Sequence, residues 1–225
     1  TTPTRTSGCR LRPRPWCPVA EVNGPVPSCA PPLVLASASP RRAELLSRVG
    51  YRFETCAAEV DESVRADEVP TDYVSRLARA KADAVWESGL TVVASDTCVV
   101  APDGTVLGKP DDARDAIRML RSLSGRTHSV LTAVCVIGPD GSSSEVLGSA
   151  RVTFAHVDDA TLAGYVAGGE PMDKAGAYAL QGQGAALVES IEGDPTTVIG
   201  LPLRPTIDAL RALGLPPPAF TSDHP

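Results

Sequence analysis

Apolar positions along this chain recur on two different spacings, and the switches between them lay out the fold. Residues 33–36 form a short apolar run that predicts a strand. A helix is predicted from Pro40 to Val49, with Leu45, Leu46 and Val49 on one face and Gly50 as its stop. Thr71 is placed as the cap of a longer helix running to Trp86. The run TVVAS then reads as a strand leading to Asp96, and CVVAPDGTVLGK as a hairpin about Asp103-Gly104. Asp111 or Asp112 starts a further helix that turns Ala116, Ile117, Leu120 and Leu123 inward. HSVLTAVCVIG and SEVLGSARVTFAHV are alternating strands joined by Gly-Pro-Asp-Gly. A helix over residues 159–166, a strand AALVESI, the turn EGDP and a helix over residues 207–213 follow. Helices and strands intermixed, with at least two hairpins, predict an α/β protein with a mixed sheet.

The pattern fades at both ends. Residues 1–31 are rich in Pro, Arg, Thr and Ser and carry no period, so they read as a disordered extension. Residues 32–215 read as one domain with two lobes, and residues 216–225 as a flexible tail. Hydrophobic content of 43% is enough for a core, and aromatics at 4% leave its packing to Val, Leu, Ile and Ala. A net charge of −6 argues against a nucleic-acid partner, although a local basic pocket for a small anion is compatible with it. No apolar run is long enough to predict a membrane span, and the first residues do not resemble a signal peptide. None of the six cysteines forms a Cys-x-x-Cys pair, and reduced thiols of a cytoplasmic protein are expected.

Four stretches carry candidate chemistry. In LVLASASPRRAELLSRVG, Ser39 is placed to cap the helix and Pro40 suits its first position. Arg41 and Arg42 then oppose the helix dipole at a cost of roughly 0.3–1 kcal/mol each. A bound phosphate chain would reverse that cost; the alternative is two arginines that only solubilise the surface. Lys81 falls on the apolar face of its helix with Val74 and Leu77. It either lines an internal cleft or snorkels to water, whereas Arg76 and Arg79 lie off the stripe as solvated charges.

Asp96 interrupts a strand-like run, where a buried carboxylate needs partners. A two-residue turn at Asp103-Gly104 pairs Cys98 with Lys109, which puts Asp96 and Lys109 on one side of the sheet. They would share a ligand or form an ion pair. Gln181 stands in a glycine-rich loop before Gly182 and Gly184, and its amide could match a nucleobase edge or simply face solvent. His128 and His156 have no second histidine at metal spacing.

Taken in order, LASASPRRAELL, VDES, RLARAKA, SDTCVV, LGKP, SGRTHSVLTAV, KAGAYALQG and GLPL resemble the Maf family, nucleoside triphosphate pyrophosphatases also called septum-formation inhibitors. The resemblance implies an elongated mixed sheet with two lobes about a central cleft, like that of inosine triphosphate pyrophosphatases, often as a homodimer. It implies cleavage between the α and β phosphates to a monophosphate and pyrophosphate, with a divalent cation such as Mg or Mn. Asp96 matches the family's proton acceptor, and Glu62 an acidic position that helps Asp96 hold metal. Ser37, Arg41 and Arg42 match the phosphate loop, Lys81 and Lys109 its two lysines. Arg41, Thr97 and Gln181 match positions linked with base selection, and the forms SDT and AYALQG resemble the dTTP- and UTP-preferring branch.

Ala38 and Thr197 stand where the family often has Gly and Asn. Nearby cations are expected to lower the pKa of Asp96 and keep it ionised, so that it orients a metal-activated water. The alternative function is a nucleotide-binding regulator of cell division that acts through a partner with little turnover.

Overall fold

The β-branched runs and the amphipathic helices assemble as follows in the computed structural model, which describes residues 33–216. In chain order the elements are β1 (Leu33–Leu35), α1 (Pro40–Arg48), β2 (Glu54–Thr55), α2 (Pro70–Val85), β3 (Thr91–Val100), β4 (Val106–Leu107) and α3 (Ala113–Leu123). They continue with β5 (Thr127–Ile137), β6 (Ser143–Phe154), α4 (Asp159–Ala167), β7 (Val188–Gly193), α5 (Pro195–Ile199) and α6 (Leu203–Ala212). Three short 3-10 segments fill the stretch between α4 and β7. The readings of the N-terminal extension and of the tail past residue 216 lie outside the described residues. No described helix is long and apolar enough to cross a membrane.

The strands form one mixed sheet in the order β2-β1-β3-β5-β6-β7, with β4 beside the far end of β3. β1 pairs in parallel with β2 and β3, and every other pairing is antiparallel. Alternation along β3 sorts its side chains: Val92, Ala94 and Cys98 pack under α2, while Val93 faces α1 and α6. A third cluster gathers where the long strands run on, with Val99, Val130, Val152 and Phe154 packed against α3 and α4. The expected mixed α/β sheet is therefore present, and the long strands β3 and β5 contribute to all three clusters.

Several boundaries differ from the sequence reading. Pro70, not Thr71, opens α2, because a proline with fixed φ and no N–H suits the first helical position. Residues 185–187 belong to a 3-10 segment, so the strand starts only at Val188. The short β2 and α5 carry too few residues to show a period. Cys98 and Cys135 are buried free thiols as expected, whereas Cys56 is disulfide-bonded.

One difference matters for the chemistry. β3 and β4 pair Val99 with Leu107 and Val100 with Val106, and the Ala101 N–H donates to the Thr105 carbonyl. The turn thus has three residues, Pro102 to Gly104, and Gly104 takes a φ of +87° that a side chain would resist. A one-residue change of register exchanges the two faces of a strand. Continued, this pairing sets Lys109 opposite Thr97 rather than Cys98. Lys109 in fact lies past the end of β4 and reaches the centre of the molecule from a loop.

Candidate active site

The sheet has a gap on one side of β3. β1 pairs with β3 only as far as Val93, and β4 joins only at Val99. Between them, residues 94–98 have no strand neighbour on that side. The chain leaving β1 turns away into residues 36–39 and α1, and the chain leaving β4 turns away through Lys109. A cavity of about 470 Å³ opens there, of a size suited to a small-molecule ligand. Five cationic side chains line it, Arg41, Arg42, Lys81, Lys109 and Lys174, against three carboxylates, Glu62, Asp96 and Asp173. That local surplus of positive charge lies inside a chain of net charge −6.

Asp96 forms the floor, only 7% exposed. Lys81, on the buried face of α2, donates to its Oδ1 at 2.6 Å and lies 2.6 Å from Oε1 of Glu62. Lys81 is buried on α2 along with Val74, Leu77 and Ala78, and its ammonium meets two carboxylates of the cavity, so the snorkelling alternative is excluded: the ammonium is turned inward. Glu62 comes from an irregular segment that α2 pins in place. The Tyr73 hydroxyl donates to the Glu62 carbonyl at 3.1 Å, and Arg76 grips Glu68 and the Ser63 carbonyl. Arg76 is therefore a tether of this segment and not a solvated charge, because Glu68 sits where the helix brings it within reach. Arg79 does remain at the surface, paired with Asp83 one turn on.

One lysine leaves the two carboxylates with opposite shifts. Burial pushes the Asp96 carboxyl above its ordinary range, and the opposing pull of Lys81 and Arg42 does not cancel it. For Glu62 burial acts in the same direction and is again the largest single influence, yet the Lys81 hydrogen bond and the charges of Lys81, Lys109 and Arg42 together outweigh it and hold the carboxyl below the ordinary range. The expectation that cations lower Asp96 is thus corrected: on the floor of the sheet the loss of water is the larger effect. Two neighbouring carboxylates pushed apart in this way suit two different roles.

Arg42 forms the next layer. Its Nε donates to the Gly200 carbonyl at 2.9 Å, Nη1 to Ser37 Oγ at 3.3 Å and Nη2 to Thr97 Oγ1 at 3.1 Å. Burial pushes its pKa down, with Asp96 opposing. Ser37 Oγ also accepts the Ser39 N–H at 3.1 Å. Ser39 holds the expected cap position but makes no side-chain cap bond. The first turn of α1 is therefore left with backbone donors beside the cavity.

Thr97 continues the chain of contacts. Its Oγ1 lies 3.0 Å from Thr132 Oγ1, and the Thr132 hydroxyl donates to the Thr197 carbonyl at 2.8 Å. A carbonyl can only accept, so Thr132 spends its proton there and Thr97 must donate to Thr132. A lone pair of Thr97 is then what receives Arg42.

The rim is more open. Arg41 reaches Asp173 at 3.5 Å, across from α1 to the 3-10 segment Glu170–Asp173. Lys174 donates to the Glu170 carbonyl at 2.8 Å and pairs with Asp173. Gln181 lines the opening from its exposed loop. Tyr178 lines one wall, with its hydroxyl 2.9 Å from Nε2 of His128 and both rings edge-on to Phe154. Burial drives the His128 pKa down to about 4, so this histidine is a neutral prop beneath the wall.

All nine residues singled out in the sequence, Ser37, Arg41, Arg42, Glu62, Lys81, Asp96, Thr97, Lys109 and Gln181, line this one cavity. Sequence reasoning missed Thr132, Asp173, Lys174 and Tyr178. Lys174 and Tyr178 stand inside the KAGAYALQG stretch and could have been weighed there; nothing in the sequence marks Thr132 or Asp173.

No group of three or more His, Cys, Asp or Glu side chains arranged to hold a metal occurs among the described residues. Glu62 and Asp96 still offer hard carboxylate oxygens on a common partner. Such a pair suits Mg²⁺ or Mn²⁺, which take one or two carboxylates and fill the remaining positions with phosphate oxygens and water.

A family model described as Maf-like protein matches residues 32–213. A dTTP/UTP pyrophosphatase of Anaeromyxobacter dehalogenans (strain 2CP-1) is 52% identical over 192 residues, covering 84% of this chain and 97% of that protein. A protein of the same name from Neisseria gonorrhoeae (strain ATCC 700825) is 42% identical over 195 residues, covering 83% and 96%. Among solved structures, the nucleoside-triphosphatase, or dITP/XTP pyrophosphatase, of Mycobacterium abscessus aligns with 56% of this chain and 74% of its own. That alignment has 21% identity and a TM-score of 0.36, too low to bear on the fold, which rests on the sheet itself. A family model that spans nearly all the described residues, and relatives half identical along almost their whole length, place one conclusion beyond the geometry: this chain belongs to the Maf-like protein family.

Proposed function

We propose that the chain hydrolyses nucleoside triphosphates between the α and β phosphates, releasing a nucleoside monophosphate and pyrophosphate, with dTTP and UTP as its preferred substrates. The observation that carries this reading is the Asp96–Lys81–Glu62 cluster on the floor of a cavity rimmed by cations. A site that only bound a triphosphate would gain nothing from a buried carboxylate among phosphates. A site that removes a proton from water needs one. Relatives named dTTP/UTP pyrophosphatase support the same reading and its nucleotide preference.

The residues divide the work as follows. Asp96, its carboxyl raised by burial, accepts the proton of the water that attacks the α phosphorus. Lys81 holds that carboxylate in one orientation. Lys109 and Lys174, with the backbone donors at the start of α1, balance charge on the β and γ phosphates as the pyrophosphate departs. Arg42, tethered by Ser37, Thr97 and Gly200, is fixed before substrate arrives, which lowers the ordering cost of binding. Arg41 and Gln181 stand at the rim, where the nucleoside end would lie, and the Gln181 amide supplies the donor and acceptor a pyrimidine edge requires. Glu62 and Asp96 would hold a divalent cation, which when bound supplies Lewis-acid stabilisation of phosphate charge.

The test is a panel of nucleoside triphosphates incubated with Mg²⁺ and with chelator. Pyrophosphate as the first product, greatest with dTTP and UTP and lost with chelator, is expected. Orthophosphate as the first product would make the protein a phosphatase instead. Tight binding with no product would favour the non-catalytic regulator.

A further inference from the structure

The loop that carries Gln181 has no strand or α-helix of its own. What holds it is Glu170, a residue outside the cavity lining. Its Oε1 accepts from the Tyr165 hydroxyl at 2.8 Å and from the Gly184 N–H at 3.0 Å. Its Oε2 accepts from the Gln183 N–H at 3.0 Å. The Tyr165 hydroxyl in turn accepts the Ala179 N–H at 3.2 Å. One carboxylate therefore fastens both ends of residues 179–184, the far end directly and the near end through a tyrosine. Gln181 is suspended between the two anchors.

The glycines on either side fit this arrangement. A Cβ at Gly182 would run into the Glu170 carboxylate, and one at Gly184 would lie 2.6 Å from the Tyr165 hydroxyl oxygen. The loop closes onto the clamp so tightly that neither position has room for a side chain. Burial opposes ionisation of Glu170 and is the largest single influence, but the Gly184 and Gln183 amides, the Tyr165 hydroxyl and the Lys174 charge together outweigh it and keep the carboxyl below its ordinary range. The clamp is thus charged throughout the neutral pH range, and charge-assisted hydrogen bonds of this kind are the stronger sort.

We infer that Glu170 is a positioning residue that sets nucleobase selectivity without touching the nucleotide, by fixing the backbone from which Gln181 reaches into the cavity. The inference rests on the assignment of Gln181 to the nucleobase end made above. It separates the two ends of the cavity: selectivity should depend on the Glu170 carboxylate, whereas grip on the phosphates should not, because neither α1 nor Lys109 hangs from it and Lys174 hydrogen-bonds only the Glu170 main-chain carbonyl.

The experiment compares wild type, Glu170→Gln, Tyr165→Phe and Gln181→Ala. Each is assayed for kcat/KM on dTTP and on GTP, and for inhibition by inorganic tripolyphosphate, which has no base. Glu170→Gln keeps the size of the side chain but turns one acceptor into a donor facing an N–H. It should lower the preference for dTTP over GTP about tenfold and leave the tripolyphosphate inhibition constant within twofold. Tyr165→Phe loosens only the near anchor and should lower the preference about threefold, which keeps the test decisive if Glu170→Gln folds poorly. If Gln181→Ala loses selectivity while Glu170→Gln and Tyr165→Phe retain it, the positioning role is overturned and Glu170 only stabilises the fold. An equal weakening of dTTP and tripolyphosphate would likewise overturn it. If Gln181→Ala itself keeps full selectivity, the base-end assignment is wrong and the inference fails with it.

Discussion

The floor of the cavity and its rim are made of different material. On the floor, Asp96 and Thr97 stand on a ten-residue strand, Lys81 on a sixteen-residue helix and Arg42 on a helix packed against α5. Their contacts are buried and mutually dependent: Lys81 to Asp96 at 2.6 Å, and Arg42 to three acceptors between 2.9 and 3.3 Å. At the rim, Arg41 meets Asp173 at 3.5 Å in solvent, and Gln181 rides a loop held by a single carboxylate. Under the proposed function, the contrast follows from what each end must do. Displacement at phosphorus depends on placement to within fractions of an ångström, which packed elements supply. Choice among bases needs a surface that can differ between relatives without disturbing that placement, and loops on a rigid scaffold provide it.

If this contrast is right, substitutions should lose effect in passing from floor to rim. Asp96→Asn should have the largest, a fall in kcat on the order of 10²–10⁴-fold, with triphosphate binding by calorimetry largely retained. Undiminished pyrophosphate release from dTTP would remove Asp96 from the chemistry altogether. Lys81→Met leaves a buried carboxylate without its partner, and urea unfolding should register a loss of about 3 kcal/mol. A loss too small to measure would mean that water, not Lys81, compensates Asp96.

Thr132→Val deprives the Thr197 carbonyl of its donor and Thr97 of its acceptor. A destabilisation of about 1–3 kcal/mol is expected, together with a raised KM as Arg42 loses its fixed partner. Thr132→Ser should restore both, and failure of that rescue would show that shape rather than proton order matters there. Asp173→Asn should do least, since exposed ion pairs contribute under about 1 kcal/mol. KM for dTTP should change by less than about fivefold by the same measure, and a larger change would move the rim pair into the floor's class.

The two ends were also unequally legible in the sequence. Lys81 could be found because a charged residue on the apolar face of a helix breaks a local pattern, and Asp96 because a carboxylate breaks a strand-like run. Both anomalies are visible within one turn or one strand. Arg41 and Arg42 conflict with the helix dipole in the same local way. Glu170 and Thr132 break no pattern. A glutamate before a proline in a loop and a threonine in a strand are ordinary, and what distinguishes them is the partner each meets. Glu170 finds the amides of Gln183 and Gly184 after a chain reversal, and Thr132 finds the Thr197 carbonyl 65 residues away.

Lys109 shows where local reasoning fails even when it reaches the right cavity. The Asp-Gly pair correctly marked a turn, but not whether that turn spans two residues or three. Since strand faces alternate with a period of two, that one residue reverses the predicted side.

The sequence by itself determined the helical and strand periods, the mixed α/β class and the charged residues that conflict with their own local surroundings. These follow from interactions between residues close together in the chain. The tertiary structure alone decided the gap between β1 and β4 that opens the cavity, and the direction in which Asp96 is shifted. It also decided the clamp on the Gln181 loop. Each depends on distances between segments far apart in sequence, and on how much water those segments exclude when they meet.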